Sequence, residues 1–482
     1  MDDLILLKKN IPLLQYNERE YECEVTKVFN IQHIMPHLFL NGRPDATNTY
    51  ALGQKLFDFI NERIIPYNRK NFKELLGELG LPSAEELARK SFYLSLSDQY
   101  WVCPAKDFGK IWWEDINFFS NEYDSAIGLR LVSSSKPLDR TSLSQTPDST
   151  TGGELPKRWF RKDGINYLEK AGTGTEQQEC INEVTASEIC RRLGISHIPY
   201  ELCVRDNAYY CVCPDIVTQS EEMVPMASLY QDLHLTPDGR YDYGALINRC
   251  KELEIPNAEE DLLKILLLDF IIANEDRHAY NISFLRNSDT LEWLGLSPVY
   301  DSGKSLFVNK VGFEVEQASS SSIPAKPFES TQIRQFNALP FEKLCGKVDM
   351  SALEDFPVWY ADFLSPLRRI PQEKKEALLS AVKRRINEAT CLLKEKSLIP
   401  EASLEVNAPE SDYFARKLSK AERTVERVYS ALCTDCTQTK EDLSLRLGIS
   451  RATVTRALQT LVSSGRIKRR GSNKTGSWTL TG

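Results

Sequence analysis

The chain of 482 residues is long enough for two to four domains, and its composition is that of an ordinary globular protein. Its longest apolar run is interrupted by Lys264 and Asp269 and is too short to span a bilayer, and the N-terminal apolar run is too short for a signal peptide. Twelve cysteines without a disulfide framework indicate reduced thiols, so we expect a cytoplasmic protein with no membrane partner. The pair Cys433 and Cys436 has no second pair and no nearby histidine, which argues against a zinc site.

Charge is unevenly distributed along the chain. Residues 415–482 contain 14 Lys or Arg and 5 Asp or Glu, a net charge of +9 that leaves −17 for the rest of a chain whose total is −8. A basic C-terminal segment after an acidic body indicates nucleic-acid binding at that end.

Residues 1–128 predict an N-terminal α+β unit. Its expected elements are a strand at 22–29 and helices at 49–64, 71–79 and 83–90. Aromatic residues are dense between Phe92 and Phe119, which predicts core and domain-packing surface, with a partner or substrate platform as the alternative. No motif in this unit points to a particular chemistry.

From about residue 129 the composition shifts to Ser, Thr, Pro and Gly. A glycine-rich turn between two strands lets backbone N–H groups approach the phosphates of a nucleotide. The residues expected in such a phosphate loop are Ser149, Thr150, Thr151, Gly152, Gly153 and Lys157. An ordinary polar loop is the alternative.

A strand at 166–170 and a helix at 179–193 come next. Lys170 stands where a kinase places the lysine that contacts the α- and β-phosphates, and Glu183 is placed to pair with it. A solvated glutamate is the alternative. Strands at 198–204 and 209–213 then lead to a hinge, against which adenine is expected to lie at Asp215 and Ile216.

The most informative stretch, 257–303, combines a buried helix with two polar loops. Residues 261–273 are apolar almost all round, which predicts a helix in the interior. The predicted elements that follow are a loop at 274–281, a hairpin with strands at 282–286 and 291–294, and a second loop at 297–303.

These loops contain the residue types that phosphoryl transfer requires. Asp276 and Asn281 have the Asp-x4-Asn spacing of a kinase catalytic loop, and Asp301 begins an Asp-Ser-Gly where a kinase has Asp-Phe-Gly. The reaction needs a carboxylate that orients the attacking hydroxyl and hard oxygen ligands for Mg²⁺. An Asp-x4-Asn pair alone is common in caps and turns, so the prediction depends on the whole order of helix, loop, hairpin and second Asp.

The pattern Asn274-x-Asp276-Arg277-His278-x-x-Asn281, followed by Leu296-Ser297-Pro298-Val299-Tyr300-Asp301, closely resembles the HipA-like serine/threonine kinases of bacteria. The resemblance covers about 129–400. It implies an α+β, two-lobed protein-kinase-like fold with an N-lobe at 129–218 and a C-lobe at 219–400, and the use of ATP with Mg²⁺.

The resemblance also assigns roles to single residues. Asp276 matches the catalytic Asp, and Asn281 and Asp301 match the metal ligands. Lys170 and Asn281 are also expected to take part in catalysis, and His278 is expected in the nucleotide site. Ser149 is the nearest equivalent of a serine that is autophosphorylated in the family, and Thr150 and Thr151 remain alternatives. The substrate is expected to be a protein that the sequence does not name, an aminoacyl-tRNA synthetase or another translation factor being one candidate.

Beyond residue 303, four serines at 319–322 predict a flexible loop, with regulatory phosphorylation as the alternative. A helix is expected at 372–395 and a linker at 401–418.

Residues 419–482 predict a second recognisable unit. Helices at 421–432, 440–447 and 451–463 precede a basic run and a final strand at 477–480, and the run Leu447–Arg456 resembles the helix-turn-helix of winged-helix DNA-binding domains. The resemblance implies duplex DNA as a partner, with a protein-docking module as the alternative. Major-groove contacts are expected from Arg451, Thr453, Thr455 and Arg456, and phosphate contacts from Lys468, Arg469, Arg470 and Lys474.

The sequence therefore predicts a HipA-like serine/threonine kinase fused to a DNA-binding winged helix, with a toxin–antitoxin-like or regulatory role. Two alternatives remain: a DNA-binding regulator whose kinase-like body senses nucleotide, and a small-molecule phosphotransferase.

Overall fold

The computed structural model describes residues 3–40, 42–69, 71–132, 145–153, 155–230, 233, 235–397, 424–425, 428–429, 431–432, 438–447, 449–464, 466–470 and 477–480. The linker expected at 401–418, Cys433, Cys436 and Lys474 lie outside these residues. The chain divides into two compact units. The first comprises Met1–Arg191, Ile195–Asp261 and Arg277–Lys304, and the second comprises Arg192–Gly194, Leu262–Asp276 and Ser305–Gly482. Both helices and strands are abundant, so the expected α+β class is confirmed.

The first unit begins with a four-stranded antiparallel sheet and five helices. They are β1 (Leu4–Lys8), β2 (Ile11–Glu18), β3 (Cys23–Val28), α1 (Thr49–Glu62), α2 (Phe72–Leu79), α3 (Ala84–Lys90), β4 (Tyr100–Pro104), α4 (Trp113–Ile116) and α5 (Ala126–Val132). The sheet order is β3-β2-β1-β4. The predicted strand and three helices are confirmed, and the hydroxyl of Ser83 caps α3 by accepting from the backbone N–H of Glu86.

The aromatic segment of this region lies mainly in the core. Tyr93, Tyr100, Trp101 and Phe118 are buried, whereas Trp112 keeps 52% of its surface exposed. Burial of large rings is a strong source of hydrophobic stabilisation, and the predicted packing role of the segment is confirmed.

A second antiparallel sheet follows in the order β5-β6-β8-β7. Its elements are β5 (Lys157–Lys162), β6 (Ile165–Ala171), α6 (Gln178–Leu193), β7 (Glu201–Arg205) and β8 (Ala208–Pro214). The expectation that the glycine-rich turn joins two strands is wrong in its first half. Before the turn the described residues contain α5 and a 3₁₀-helix at Pro147–Thr150, which Pro147 favours because it fixes φ at a helical value.

The chain then forms β9 (Glu221–Pro225), α7 (Met226–Tyr230), α8 (Tyr243–Glu252), α9 (Ala258–Ile271), β10 (Ser283–Asn287) and β11 (Trp293–Leu296). The predicted hairpin is present, but its second strand starts two residues later than expected. The side chain of Asn287 accepts from the N–H groups of Asp289 and Thr290, and Leu291 has a φ of 67°, so the turn extends to Glu292.

A buried ionic cluster connects β1, β9 and β10 of the first unit. Glu222 lies 3.4 Å from the amine of Lys8 and accepts a hydrogen bond from the guanidinium of Arg286. All three side chains are at most 4% exposed. Burial lowers the pKa of Lys8 to about 8, against the attraction of Glu222.

The second unit contains most of α9, the segments after residue 304, and helices α10 (Gly312–Gln317), α11 (Gln332–Ala338), α12 (Phe356–Leu364) and α13 (Gln372–Ser397). The apolar stretch of α9 is buried as predicted. The buried guanidinium of Arg385 in α13 donates to the carbonyl of Phe270 and, at 3.0 Å, to the hydroxyl of Ser320. The four-serine segment is therefore not a loose loop throughout, because Ser320 is only 8% exposed.

The winged-helix region contains α14 (Lys440–Leu447), α15 (Arg451–Ser463), β12 (Ile467–Arg470) and β13 (Ser477–Leu480). Antiparallel pairing joins β12 to β13, and apolar residues of both helices and both strands share one core that includes Leu443, Leu458 and Trp478. Among the described residues, no helix has both the length and the hydropathy needed to cross a membrane.

Candidate nucleotide site and basic winged helix

A cavity of about 710 Å³ lies within the first unit. Most of the residues that the sequence predicted for a nucleotide site line it: Thr150, Thr151, Gly152, Gly153, Lys157, Lys170, Asp215, Ile216, His278, Asn281 and Asp301. The volume falls in the range of about 300–1,000 Å³ that is usual for small-molecule sites. Segments that are far apart in sequence thus contribute to one cavity.

Lys170 connects three groups beside this cavity. Its amine lies 2.7 Å from Glu183 Oε1, 2.8 Å from Asp301 Oδ1 and 3.2 Å from the hydroxyl of Tyr200. Burial acts to lower the pKa of Lys170, but the carboxylates of Asp301 and Glu183 outweigh it and raise the pKa well above its usual value. Lys170 is therefore a permanent cation, and its predicted pairing with Glu183 is present.

Asp301 is held in an unusual backbone conformation at the end of the second loop. Its φ is 54°, in the left-handed region that non-glycine residues seldom adopt. Glu183 Oε2 accepts from the next backbone N–H, that of Ser302, at 2.8 Å, and Asn182 donates to the carbonyl of Gly303 at 2.9 Å. Burial alone would raise the pKa of Asp301, but Lys170 and Lys157 hold it well below its usual range, so the side chain is a carboxylate at neutral pH.

The hydroxyl groups of the predicted phosphate loop are already hydrogen-bonded. Ser149 is fully buried and donates to the carbonyl of Thr146 at 2.7 Å, and Thr150 donates to the carbonyl of Leu94 at 2.6 Å. Thr151 donates to the carbonyl of Pro147 and accepts from the indole N–H of Trp159. The loop is thus fixed by its own side chains rather than by solvent.

Two features of this loop carry no signal in the sequence and were not predicted. Asp148 is buried, accepts from the backbone N–H of Trp159 at 2.7 Å, and has its pKa raised to about 7 by burial. Arg69, from the N-terminal region, donates to the carbonyls of Thr151, Gly152 and Gly153. An isolated arginine between α1 and α2 does not indicate such a contact.

Gly153 and Lys157 lie close together at the end of the loop. Gly153 has a φ of 84°, and a Cβ at this position would come 2.6 Å from the amine of Lys157. Burial lowers the pKa of Lys157 to about 7, against the attraction of Asp301, and Lys170 and Arg69 lower it further. Lys157 is therefore a cationic group that changes charge near neutral pH.

The hinge is formed where β8 ends. The backbone N–H of Asp215 donates to the carbonyl of Asn166 at 2.9 Å, and the side chain of Asp215 accepts at 3.5 Å from the N–H of Val217. The second carboxyl oxygen of Asp215 is buried and has no hydrogen-bond partner among the residues that the structure describes. Burial raises the pKa of Asp215 to about 8.

Arg277 organises the part of the predicted catalytic loop that belongs to the first unit. Its guanidinium donates to the carbonyls of Asn281 at 3.1 Å and Tyr300 at 2.6 Å, and to the hydroxyl of Ser302 at 2.9 Å. It therefore ties the loop with Asn281 to the loop with Asp301. No role was predicted for Arg277, although its charge inside a dense polar motif was a visible signal.

Asp276 belongs to the second unit. Its carboxylate is 36% exposed and lies 2.8 Å from the amine of Lys326, and its backbone N–H donates to the side chain of Asn274. Asn274 is buried and donates to Asp269 at the end of α9. Lys326 was not predicted, because it lies 50 positions away in a segment without a motif.

The predicted DNA-contacting residues of the winged helix are mostly exposed. Arg456 and Lys468 are exposed, Thr453, Thr455 and Arg469 are half-buried, and Arg451 is 65% exposed in an ion pair with Glu441. The guanidinium of Arg469 lies 4.5 Å from the ring centre of Trp478. Arg470 lies in β12, and Lys474 falls outside the described residues.

Comparison with known proteins identifies two regions. Residues 149–351 match the HipA-like C-terminal domain, and residues 422–468 match the winged helix-turn-helix DNA-binding family. Among curated proteins, no match to this sequence is found.

Two solved structures are similar at low identity. The proinflammatory kinase CtkA of Helicobacter pylori is 16% identical, with a TM-score of 0.42, over 53% of this chain and 95% of that chain. A chain of the Shewanella oneidensis MR-1 toxin–antitoxin complex of HipA, HipB and operator DNA is 14% identical, with a TM-score of 0.40, over 95% of this chain and 97% of that chain. Neither TM-score reaches 0.5, so the assignment rests on the two sequence families. The chain therefore combines a HipA-like C-terminal domain at 149–351 with a winged helix-turn-helix domain at 422–468.

Proposed function

We propose that this chain is an ATP-dependent kinase that transfers the γ-phosphate to a serine or threonine hydroxyl of a protein, and that its winged helix binds duplex DNA. The observation that carries the proposal is the buried Lys170, which joins Glu183 to Asp301 at the wall of the cavity. Kinases use the lysine–glutamate pair to set the lysine that contacts the α- and β-phosphates, and they use an aspartate in the position of Asp301 to hold Mg²⁺.

The residues that line the cavity fit a nucleoside triphosphate. Lys157 and Lys170 supply positive charge for phosphates, and the glycine-containing loop allows close approach of backbone N–H groups. At the hinge, the unpartnered oxygen of Asp215 is a buried polar atom that a base could satisfy by hydrogen bonding. Base and triphosphate would then lie in the same cavity.

The residues also fit Mg²⁺, which prefers carboxylate and amide oxygens and usually keeps phosphate oxygens and water among its ligands. Asp301, a carboxylate at neutral pH, and the side chain of Asn281 would hold it. When bound, Mg²⁺ neutralises charge on the phosphates. Among the described residues no group of three or more His, Cys, Asp or Glu forms a metal cluster, so the site would depend on nucleotide oxygens as well.

We assign the catalytic carboxylate to Asp276. In this role it would accept a hydrogen bond from the acceptor hydroxyl and orient that oxygen for attack. The ion pair with Lys326 places a cation next to this carboxylate. Arg277, the next residue in the chain, donates to the carbonyls of Asn281 and Tyr300. These contacts would hold the side chains of Asn281 and Asp301 in fixed positions.

Autophosphorylation is proposed within residues 149–151. Because the hydroxyl of Ser149 is buried and bonded to Thr146, this modification requires the 3₁₀-helix at Pro147–Thr150 to open first. We therefore expect it to be slow relative to phosphorylation of an external substrate.

The DNA-binding half of the proposal rests on charge and topology. Residues 415–482 carry a net charge of +9 on an otherwise acidic chain, and α15 presents exposed Arg456 as a recognition helix would. A kinase that uses ATP and binds DNA would act in the cytoplasm.

The experiment is incubation of the full chain with γ-labelled ATP and Mg²⁺, alone and then with cell lysate, with Lys170→Met as the inactive control. Labelled protein bands that need Lys170 support the proposal, and phosphopeptide mapping assigns the self-modified residue. Label that appears only in small molecules would favour a small-molecule phosphotransferase. ATP binding without any transfer would favour a nucleotide-sensing regulator.

A further inference from the structure

The N-terminal region has no assigned role, yet it forms part of the nucleotide cavity. Residues from the end of α1 and the turn after it, including Glu62, Arg63 and Pro66, line the cavity, as do Ser95 and Asp98. All of them belong to the same compact unit as Lys170 and Asp301. The region that precedes the HipA-like domain therefore supplies one wall of its site.

We propose that Arg69 of this N-terminal region is a positioning residue that fixes the phosphate loop for nucleotide binding. The inference deepens the proposed function and rests on it where ATP is concerned. The side chain of Arg69 donates to backbone carbonyls of the loop, so Arg69 would act on the nucleotide indirectly.

The contacts of Arg69 are specific to the turn of the loop. Its Nε donates to the carbonyl of Gly153 at 3.1 Å, and its Nη2 lies 2.9 Å from the carbonyl of Gly152 and also bonds the carbonyl of Thr151. Arg69 is only 2% exposed. Burial lowers its pKa to about 10, so it remains a cation at neutral pH.

These contacts determine the direction of the loop's peptide groups. In a planar trans peptide the carbonyl and the N–H point to opposite sides. The carbonyls of Thr151 and Gly152 point to Arg69, so the N–H groups of Gly152 and Gly153, which share those peptides, point away from it. Backbone N–H groups aligned in this way are the donors that a phosphate requires.

Two further hydrogen bonds tie the N-terminal region to the same site. The carbonyl of Leu94 accepts from the hydroxyl of Thr150, and the hydroxyl of Tyr280 donates to Glu62 at 3.2 Å. The Arg69 contact is therefore one of several hydrogen-bonded contacts that attach the N-terminal region to the loops around the cavity.

A lysine cannot replace Arg69 in this role. The guanidinium is a planar fork with five N–H donors, which is how one side chain bonds several carbonyls at fixed angles, whereas an ammonium group is a compact charge on a flexible stem. Arg89, in α3, is a matched control, because it is half-exposed and pairs with Glu18 and Glu85 away from the cavity.

The test compares the full chain with Arg69→Ala, Arg69→Lys and Arg89→Ala. In the nucleotide-free protein we expect faster amide hydrogen exchange at residues 149–153 in both Arg69 variants and no change in Arg89→Ala. Calorimetric titration should show Mg-ATP affinity reduced about tenfold or more in Arg69→Ala, because that variant removes hydrogen bonds from a charged group, and reduced less in Arg69→Lys.

The two readouts separate this inference from the proposed function. Unchanged exchange and unchanged affinity in folded Arg69 variants would overturn the role of Arg69 while leaving the kinase proposal intact. If the unmodified chain does not bind ATP, the proposed function fails, and the exchange experiment still decides whether Arg69 fixes the loop. If Arg69→Ala does not fold, Arg69→Lys decides, because it retains the charge and the approximate volume.

Discussion

The nucleotide cavity and the winged helix use charge in opposite ways. Around Lys170 each ionic group has partners, and the side chains of Lys170 and Glu183 are buried while that of Asp301 is half-buried. On the winged helix Arg456 and Lys468 are exposed, and Arg451 pairs with Glu441 while both side chains stay more than 60% exposed. A buried ion depends on its partners for stability, whereas an exposed one contributes little to folding and remains available for another molecule. Substitutions should therefore affect folding and function together in the cavity, but binding alone on the winged helix.

Asp276 offers the sharpest test, because it is the proposed catalytic group and its half-exposed carboxylate pairs with the exposed Lys326 rather than with a buried cation. We expect Asp276→Ala to lower kcat by about 10²–10⁴-fold, the usual contribution of a positioned acid or base, with Mg-ATP affinity nearly unchanged. The unfolding free energy should change by no more than about 1 kcal/mol, the usual contribution of an ion pair that water reaches. Phosphate transfer and thermal unfolding are measured side by side, with Asp289→Ala, another exposed carboxylate paired to a lysine, as the control. Turnover near that of the unmodified chain would refute the assignment of the catalytic loop.

Asp301 and Asn281 should behave as cavity residues. Asp301→Ala and Asn281→Ala are each expected to weaken Mg-dependent ATP binding by at least about tenfold, because each substitution removes a hard oxygen ligand. Asp301→Ala should also lower Tm, since it removes one of the two carboxylates that hold the buried Lys170. Titrations of ATP with and without Mg²⁺ measure the first effect, and equal affinities in all three proteins would exclude a metal role.

The winged helix should show the reverse behaviour. Neutralising Lys468, Arg469 and Arg470 together should weaken binding of the full chain to every DNA sequence. It should also reduce the slope of log K against log salt by roughly 2.7, about 0.9 for each phosphate that the protein no longer neutralises. Arg456→Ala should instead relax sequence preference, because arginine in the major groove reads guanine edges. Labelled duplexes titrated at two salt concentrations measure both, with Lys383→Ala, an exposed cation on α13, as the control. No affinity of the unmodified chain at low salt would make the winged helix a protein-docking module.

Lys157 lines the cavity but loses its charge near neutral pH, so we expect its substitution to change binding least. Its pKa of about 7 means that it loses its charge as the pH rises through neutrality. Bound phosphate favours the charged form, so binding should take up a proton, and affinity should fall by up to about tenfold for each pH unit above 7. Calorimetry in buffers of different ionisation enthalpy measures the proton uptake, which should disappear in Lys157→Met and persist in Lys162→Met, an exposed lysine on the same strand. Equal uptake in all three proteins would remove Lys157 from the phosphate site.

Local sequence signals predicted the helices and strands well, and they predicted many of the residues that line the cavity, although Ser149, Glu183 and Asp276 are not among them. The Asp-x4-Asn spacing, the buried α9 and the position of Lys170 in β6 are properties of short segments, and all are present in the structure. The 3₁₀-helix at Pro147–Thr150 was missed because a run of Ser, Thr and Pro is typical of both a turn and a short helix.

Three functional residues were not predicted, and the reason is different. Arg69, Arg277 and Lys326 act through contacts with residues 4 to 84 positions away, mostly with backbone carbonyls. Backbone acceptors are the same for every residue type, so no pattern of side chains marks the partners of Arg69 and Arg277. Lys326 pairs with a side chain, that of Asp276, but it lies 50 positions away in a segment without a motif.

The ionic cluster of Lys8, Glu222 and Arg286 limits which fragments of the chain can be expressed as folded proteins. The matched HipA-like region starts at residue 149, which invites expression of that region alone. Such a fragment would retain Glu222 and Arg286 but would lose β1 with Lys8, and also Ser97, whose carbonyl accepts from the N–H of Met223 in β9. In this fragment, water would reach the side of β9 and β10 that carries Glu222 and Arg286, which is buried in the whole chain. The start of the matched region is therefore not a folding boundary. During synthesis, more than two hundred residues are added after Lys8 before Glu222 is available to pair with its amine.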